Sequence, residues 1–314
     1  MKSTCCIIVT YNGSQWIEQC LQSLANSSCP LTVLVIDNGS TDNTLEIVRE
    51  KFPAVRVIET GSNLGYGQAN NIGLCMALEM EVDYVFLLNQ DAWVQPDTIL
   101  QLTEVHRHFP QYGIISPMHL NGQGTAMDQY FLQYFIASSI EPFIKNGLFQ
   151  HGKNEMLVDT KFVNAAAWLI SRECLLKTGG FDPVFFHYGE DLNYCQRALY
   201  HGIKIGIHTG SIIYHDRQLR LSQVPDLKTV AKKEWLHLLS QACDLWQSRY
   251  QTLLMRRFAR YALLSVKDAM LFNRRDLYIH SHLVKQIALS AGKIKKSRRL
   301  SMASGTIPHL PARA

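Results

Sequence analysis

The 314-residue sequence contains no apolar run long enough to cross a bilayer. The stretch from Phe131 to Ile144 comes nearest, but Glu141 and Pro142 interrupt it. The chain opens with Met1-Lys2-Ser3 and no signal-peptide apolar region, and its eight cysteines include no Cys-x-x-Cys pair. These absences disfavour a membrane-spanning protein and a structural zinc site, and they predict a cytoplasmic protein with reduced thiols.

Two nucleotide-binding fingerprints are missing as well. No Gly-x-Gly-x-x-Gly turn follows the first predicted strand, which disfavours a nicotinamide-dependent dehydrogenase. No Gly-x-x-x-x-Gly-Lys-Ser/Thr loop occurs, which disfavours a P-loop NTPase. The glycines and asparagines of residues 61–71 could still cradle a phosphate, but their spacing differs from both fingerprints.

Charge is divided unevenly along the chain. The formal net charge is +5, yet residues 256–314 hold thirteen Lys and Arg against only Asp268 and Asp276, a net charge of +11. Residues 1–255 therefore carry a net charge of −6. Basic tails of this kind bind anionic surfaces, either nucleic acid or anionic lipid.

The first 105 residues alternate strand, polar loop and helix four times, which predicts an α/β fold with helices on the faces of a parallel sheet. Because the polar loops follow the carboxyl ends of these strands, they should cluster at one edge, where such sheets bind ligands. The predicted strands are Cys5–Thr10, Leu31–Ile36, Val55–Glu59 and a run that begins at Tyr84.

The fourth strand is the most informative segment. The residues from Tyr84 to Leu88 carry no charge and lead into Asn89-Gln90-Asp91, so a buried strand delivers a carboxylate and an amide oxygen to that edge. Oxygen ligands of this type can hold Mg²⁺ or Mn²⁺ against a diphosphate. The triplet alone also fits a turn or a helix cap, because Pro96-Asp97 could begin a helix.

The second half is less regular. Residues 120–160 show no clean periodicity, and their aromatic run is either ordinary core or an insertion that covers an acceptor site. A helix is predicted from Glu190 to His201. The other predicted elements are strands at Ile114–Pro117, Lys161–Ile170, Ile203–Ile207 and Ser211–Tyr214, and a helix at Arg172–Thr178.

Four blocks of sequence together resemble family 2 of the glycosyltransferases, above all its bacterial rhamnosyltransferase-like branch. The blocks are Ile8–Asn12, Val35–Asp42, Leu87–Asp91, and Gly179-Gly-Phe-Asp182 with Glu190-Asp191. The resemblance covers about residues 4–216 and implies a GT-A fold, a Rossmann-like mixed sheet flanked by helices. It implies a glycosyltransferase domain at 1–216, with a nucleotide-binding half at 1–105 and an acceptor-binding half at 106–216, and a basic helical extension at 217–314.

The resemblance also implies a reaction and its residues. An inverting enzyme would move L-rhamnose from dTDP-rhamnose to a hydroxyl of a growing bacterial surface polysaccharide. A UDP-hexose or UDP-N-acetylhexosamine transferase and a non-catalytic sugar-nucleotide-binding protein remain open. Asp191 would be the catalytic base, with Glu190 as the next candidate, and Asp91 and His215 would hold Mg²⁺ or Mn²⁺. The nucleotide sugar would contact Thr10, Tyr11, Asp37, Asn63, Gly65, Asn70 and Asn89, and the acceptor would contact His187, Tyr188 and Trp168.

Elementary chemistry agrees with these roles, although each also has a plain structural explanation. Inversion needs a carboxylate that takes the acceptor's proton while the nucleoside diphosphate leaves, and a cation offsets the charge that the diphosphate gains. Acidic residues also favour helix N-termini, and a lone His after a strand is as often structural as a ligand. Trp168 and Trp93 fit packing better than a sugar platform, although either could stack on a hexose.

The predicted helical extension at 217–314 contains two predicted helices, at residues 229–250 and 252–272, and the second is amphipathic and basic. Such a helix fits docking to an anionic membrane surface, where lipid-linked glycan acceptors reside. It fits a solvated face or a contact with a second copy of the chain equally well. No nucleic-acid-binding motif accompanies it, so no nucleic-acid partner is expected.

Overall fold

The computed structural model describes residues 2–138, 157–217, 226–303 and 307–310. It divides into two compact units, one comprising Met1–Gln218 with Gly305–Ala314 and the other Leu219–Ser304. The C-terminal residues thus group with the first unit, although the sequence places them in the helical extension. No helix within the described ranges is long and apolar enough to cross a membrane.

Among the described residues of the first unit, nine strands form one mixed sheet. The strands β1 (Thr4–Thr10), β2 (Thr32–Asp37), β3 (Arg56–Glu59) and β4 (Tyr84–Asn89) are parallel and lie in the order β3-β2-β1-β4. The sheet continues as β4-β8-β6-β9-β5, with β7 beside β9. These strands are β5 (Ala92–Val94), β6 (Tyr112–Asn121), β7 (Leu157–Thr160), β8 (Ala167–Ser171) and β9 (Lys204–His215).

Helices cover both faces of this sheet, so its central strands are apolar on both sides. In β4, for example, Val85 and Leu87 pack into one buried cluster while Phe86 and Leu88 pack into the other. The helices are α1 (Ile17–Ala25), α2 (Thr44–Lys51), α3 (Tyr66–Glu79), α4 (Thr98–His108), α5 (Gln129–Ser138), α6 (Arg172–Thr178) and α7 (Glu190–Tyr200).

The structure corrects the sequence-based expectation for β9 and supports the plainer of two explanations for α5. The strands predicted at Ile203–Ile207 and Ser211–Tyr214 form the single strand β9, which absorbs the irregular middle through a register shift against β6. In the region of residues 120–160, helix α5 buries Phe131 and Phe135 in the core, as the plainer explanation of its aromatic run expects. The remainder of that predicted insertion, residues 139–156, lies outside the described residues.

The second unit contains α8 (Leu227–Cys243), α9 (Tyr250–Met270) and α10 (Arg274–Met302). The first of these ends seven residues earlier than the sequence predicts, and α10 was not predicted. The buried guanidinium of Arg298 donates to the carbonyl oxygens of Ala242 and Gln247 and lies 4.3 Å from the centre of the Tyr250 ring. The Arg298 side chain of α10 therefore contacts the last turn of α8 and the first residue of α9.

Candidate active site

The parallel register brings the polar ends of β1, β2 and β4 together. Thr10 pairs with Asp37 on one side of β1, and Val9 pairs with Asn89 on the other. Asp37 is 2% exposed, and its Oδ2 accepts from two backbone N–H groups in the loop after β2. Its Oδ1 is buried and has no hydrogen-bond partner within the described ranges. Because an unpaired buried oxygen is costly, this atom is suited to accept an N–H from a ligand.

Gln90 links the end of β4 to the end of β1 by hydrogen bonds. Its Oε1 accepts from the Thr10 hydroxyl at 2.6 Å and from the Tyr11 backbone N–H at 2.9 Å. The Thr10 hydroxyl is therefore engaged within the protein, whereas the Tyr11 side chain is 45% exposed. Gln90 was not singled out from the sequence, and its position between Asn89 and Asp91 was the only available signal.

The loops after β2 and β3 are tied together by asparagines. Asn38 Nδ2 donates to Asn63 Oδ1 at 3.1 Å, and Asn38 Oδ1 accepts from the Leu64 N–H at 2.8 Å. Gly65 has a φ of +84°, and a side chain there would collide with the carbonyl oxygen of Phe186. Asn63 and Gly65 thus border both the strand ends and the loop that precedes α7.

His215 reaches the end of β4 because β5 runs beside β9 and pairs Ala92 with His215. Its Nε2 lies 3.2 Å from Asp91 Oδ1. On the other side of the ring, Arg217 Nε donates to His215 Nδ1 at 3.3 Å and lies 3.4 Å from Asp128 Oδ2. Asp128 and Arg217 were not singled out from the sequence, and only the closeness of Arg217 to His215 in the chain could have indicated it.

The donor set at this point fits a divalent cation. Asp91 and His215 supply an oxygen and a nitrogen, and the buried Oδ1 of Asn89 has no hydrogen-bond partner in the described part of the chain. No cluster of three or more His, Cys, Asp or Glu side chains among the described residues could hold a metal by itself. Mg²⁺ and Mn²⁺ accept such partial sites, because phosphate oxygens and water complete their coordination.

Glu190 and Asp191 begin α7, as the sequence predicts, and Asp191 Oδ1 accepts a 2.8 Å hydrogen bond from the next backbone N–H. Burial raises the pKa of Asp191, while its backbone hydrogen bonds and the charge of Arg217 partly offset that effect. Burial and the nearby charges of Glu190 and Asp191 also raise the pKa of Tyr66. A carboxylate with a raised pKa is a stronger base at neutral pH, which suits general-base catalysis.

The turn before α7 is held by distant parts of the chain. Asn71, on α3, donates to the Phe181 carbonyl at 2.8 Å and accepts from the Phe181 N–H at 2.7 Å. The Gly180 N–H donates to the carbonyl of Pro308 at 2.8 Å. Gly179 has a φ of +74°, and a side chain there would collide with Pro308. The C-terminal segment therefore supports the turn that leads to Asp191.

The remaining predicted site residues differ in how exposed they are. His187 and Tyr188 are exposed, with ring centres 4.0 Å apart, so an acceptor can reach them. Trp168 is fully buried and stacks on Phe181, so its assignment to the acceptor site is corrected to core packing. Asn70 is 1% exposed and donates within α3 to its own helix backbone. The nucleotide-binding role given to Asn70 stays a prediction.

Comparisons with known proteins agree with this geometry. The profile described as "Glycosyl transferase family 2" matches residues 5–178. The "N-acetylglucosaminyl-diphospho-decaprenol L-rhamnosyltransferase" of Mycobacterium tuberculosis is 24% identical over 299 residues, which cover 86% of this chain and 94% of that protein.

Two solved structures show the fold. Staphylococcus aureus TarS 1–349 in complex with UDP has a TM-score of 0.56 at 15% identity, covering 95% of this chain and 90% of that one. The mannosyltransferase PcManGT from Pyrobaculum calidifontis, with GDP-Man and Mn²⁺, has a TM-score of 0.56 at 18% identity, covering 92% and 86%. The fold is GT-A, and because the family match spans more than half of the sequence, this chain belongs to glycosyltransferase family 2, the enzymes that take their sugar from a nucleotide donor.

Proposed function

We propose that this enzyme is an inverting transferase that moves L-rhamnose from dTDP-rhamnose to a hydroxyl of a lipid-linked glycan during synthesis of a bacterial surface polysaccharide. The proposal rests on the contact between Asp91 and His215, and on the unpartnered oxygen of Asn89 two residues before Asp91, at the sheet edge where a diphosphate would bind. The M. tuberculosis relative, named as an L-rhamnosyltransferase acting on a diphospho-decaprenol, supports the choice of sugar and acceptor.

In this mechanism Asp37 Oδ1 accepts the ring N–H of the pyrimidine base. Asp191 takes the proton of the acceptor hydroxyl while that oxygen bonds to the anomeric carbon and the bond to the diphosphate breaks. Attack and departure occur on opposite faces of the sugar, so a single displacement inverts the configuration. Asp91, His215 and Asn89 would hold a divalent cation, which when bound offsets the charge of the diphosphate.

One observation favours a second donor. S. aureus TarS has been solved with UDP and with UDP-GlcNAc, and uracil presents the same ring N–H to Asp37 as thymine does. A UDP-hexose or UDP-N-acetylhexosamine transferase is therefore the alternative. A lipid-linked acceptor would place either enzyme peripherally at the inner face of the plasma membrane.

The test is turnover of dTDP-rhamnose, UDP-glucose and UDP-N-acetylglucosamine by the purified protein with Mn²⁺ and a short-chain lipid diphosphate-linked N-acetylglucosamine acceptor. We expect transfer from dTDP-rhamnose, with inverted configuration by NMR, and strongly reduced transfer by Asp191→Asn. Transfer from the UDP-sugars alone would establish the alternative. Nucleotide-sugar binding without turnover of any donor would identify a non-catalytic binding protein.

A further inference from the structure

Helix α9 presents an apolar row to solvent. Leu263 is 72% exposed and Met270 is 73% exposed, whereas apolar side chains of this size are usually covered. The row comprises the exposed residues Met255, Ala259, Leu263, Val266 and Met270. Because they recur at intervals of three or four residues, they lie along one face of the helix. A contiguous exposed apolar surface of this kind marks an interaction site.

The turn between α9 and α10 extends the row at its end. Leu271 is 64% exposed and Phe272 is 89% exposed. Phe272 has a φ of 54°, and the backbone reverses there before Asn273 begins the next helix. The tip of the hairpin, Leu271–Phe272, therefore offers two uncovered apolar side chains.

A basic row runs beside the apolar one. Arg256, Arg260 and Lys267 are exposed, and each follows a member of the apolar row by one residue. Arg274 and Arg275, also exposed, follow the tip. An apolar face bordered by basic residues is complementary to a bilayer whose interior is apolar and whose headgroups are anionic.

The opposite face of α9 forms the packing of the hairpin itself. Leu254 is buried, Asp268 pairs with His280 at 2.7 Å, and Tyr261 stacks on the His280 ring at 5.7 Å. The hairpin therefore does not use the apolar row for its own core. Tyr261 is therefore held within the hairpin, and the buried Arg298 contributes no surface charge.

We propose that the apolar row and the tip Leu271–Phe272 insert at the headgroup level of an anionic bilayer, with the basic row against the lipid phosphates. This surface gives the proposed membrane location a structural basis, and it stands independently of the donor sugar and the catalytic base.

The test is co-sedimentation of the full-length protein with vesicles of phosphatidylcholine alone or mixed with phosphatidylglycerol. The triple variant Arg256→Gln, Arg260→Gln, Lys267→Gln should bind the anionic vesicles about a hundredfold more weakly than wild type. The matched control, Lys293→Gln, Lys295→Gln, Lys296→Gln, removes the same charge from exposed positions on α10 and should weaken binding only a few-fold. Equal weakening by both variants would overturn the assignment of this surface.

A second variant tests insertion. Leu271→Ser with Phe272→Ser keeps every charge, and it should lose the part of vesicle binding that survives high salt. Wild-type and tip-variant proteins that bind equally at high salt would overturn insertion.

Light scattering without lipid tests whether the same surface binds a second copy of the chain. A wild-type dimer that Leu263→Asp dissociates would assign the surface to that second copy instead. Asp191→Asn should bind vesicles as wild type does, so loss of turnover and loss of docking are separable.

Discussion

The two sides of the candidate active site are fixed by different kinds of contact. On the strand side, formed by the ends of β1, β2 and β4, the sheet's own hydrogen-bond ladder sets the positions of Asp37 and Asn89. On the turn side, residues 179–217, Asp191 follows a turn bonded to Asn71, which is 110 residues from Phe181 in sequence, and to Pro308.

This difference predicts which substitutions affect activity alone and which also affect the stability of the fold. A change at the end of a parallel strand leaves the ladder intact, so its effect should fall on ligand binding and turnover. A change in the contacts that hold the turn should lower the stability of the fold as well. Substitutions on the two sides therefore test whether the comparison holds.

The largest expected effect is on the strand side, at Asp91. Asp91→Ala removes the only carboxylate of the Asn89-Gln90-Asp91 triplet, so turnover should fall to background, and a chelator should do the same to the wild type. The measurement is release of nucleoside diphosphate with and without EDTA. The melting temperature should stay near that of wild type. Full wild-type activity in excess chelator would contradict the metal role.

On the turn side, Asp191→Asn should lower kcat by a factor of about 10² to 10⁴ with little change in nucleotide affinity. The variant keeps the shape of the side chain but not its basicity. Steady-state kinetics and nucleotide titration separate the two quantities. Glu190→Gln is the matched control one residue away. If Glu190→Gln loses kcat and Asp191→Asn does not, the base is Glu190.

The same division explains what the sequence could predict. Strands β1 and β3 were predicted at Cys5–Thr10 and Val55–Glu59, within one residue of their observed bounds, because a buried strand between polar loops is a local pattern. The α/β class followed from the same pattern, and the GT-A fold that the resemblance to family 2 implied is confirmed. The positions of Asp37 and Asn89 at the sheet edge followed directly from the predicted strands, because the chain leaves each strand at that edge.

The turn side depends on contacts that no local pattern contains. The bonds of Asn71 to Phe181 and of Gly180 to Pro308 join residues far apart in the chain. Trp168 was a candidate acceptor contact for which packing was the better explanation, and the fold encloses it. Arg217 acquires significance only when β9 brings it beside Asp128.

Asn71 tests the dependence of the turn on α3. Asn71→Ala leaves the buried N–H and C=O of Phe181 without their partner, so the free energy of unfolding should fall by about 2–4 kcal/mol. Asn70→Ala is the matched control and should cost less, because the hydrogen bond that the Asn70 amide donates among the described residues stays within α3. Denaturant unfolding measures both. An equal loss in the two variants would contradict the special role of Asn71.

His309 tests the contribution of the C-terminal segment. Burial lowers the pKa of His309 to about 4, although the nearby Asp182 opposes that shift. The folded state therefore binds fewer protons than the unfolded state between pH 4 and about 6.5, and stability falls as the pH falls through that range. His309→Gln should reduce this acid-induced loss by roughly 2 kcal/mol. The exposed His108→Gln is the control, and an unchanged slope in His309→Gln would contradict the prediction.

Replacing Arg217 should have the smallest effect of these substitutions. It donates to His215 beside Asp91, and its charge lowers the pKa of Asp191, against the larger effect of burial. A general base works only when deprotonated, so activity falls as the pH drops through its pKa, and burial shifts the pKa of Asp191, and with it that acid limb, upward. Arg217→Gln removes the charge that lowers the pKa of Asp191, so the acid limb of kcat/KM should move to higher pH. The value of kcat/KM should fall severalfold at acid pH and change little on the plateau. Arg217→Lys keeps the charge and should leave the limb in place. If the limb moves to lower pH in Arg217→Gln, the titrating group is not Asp191, and the turn side would have to supply its base from another residue.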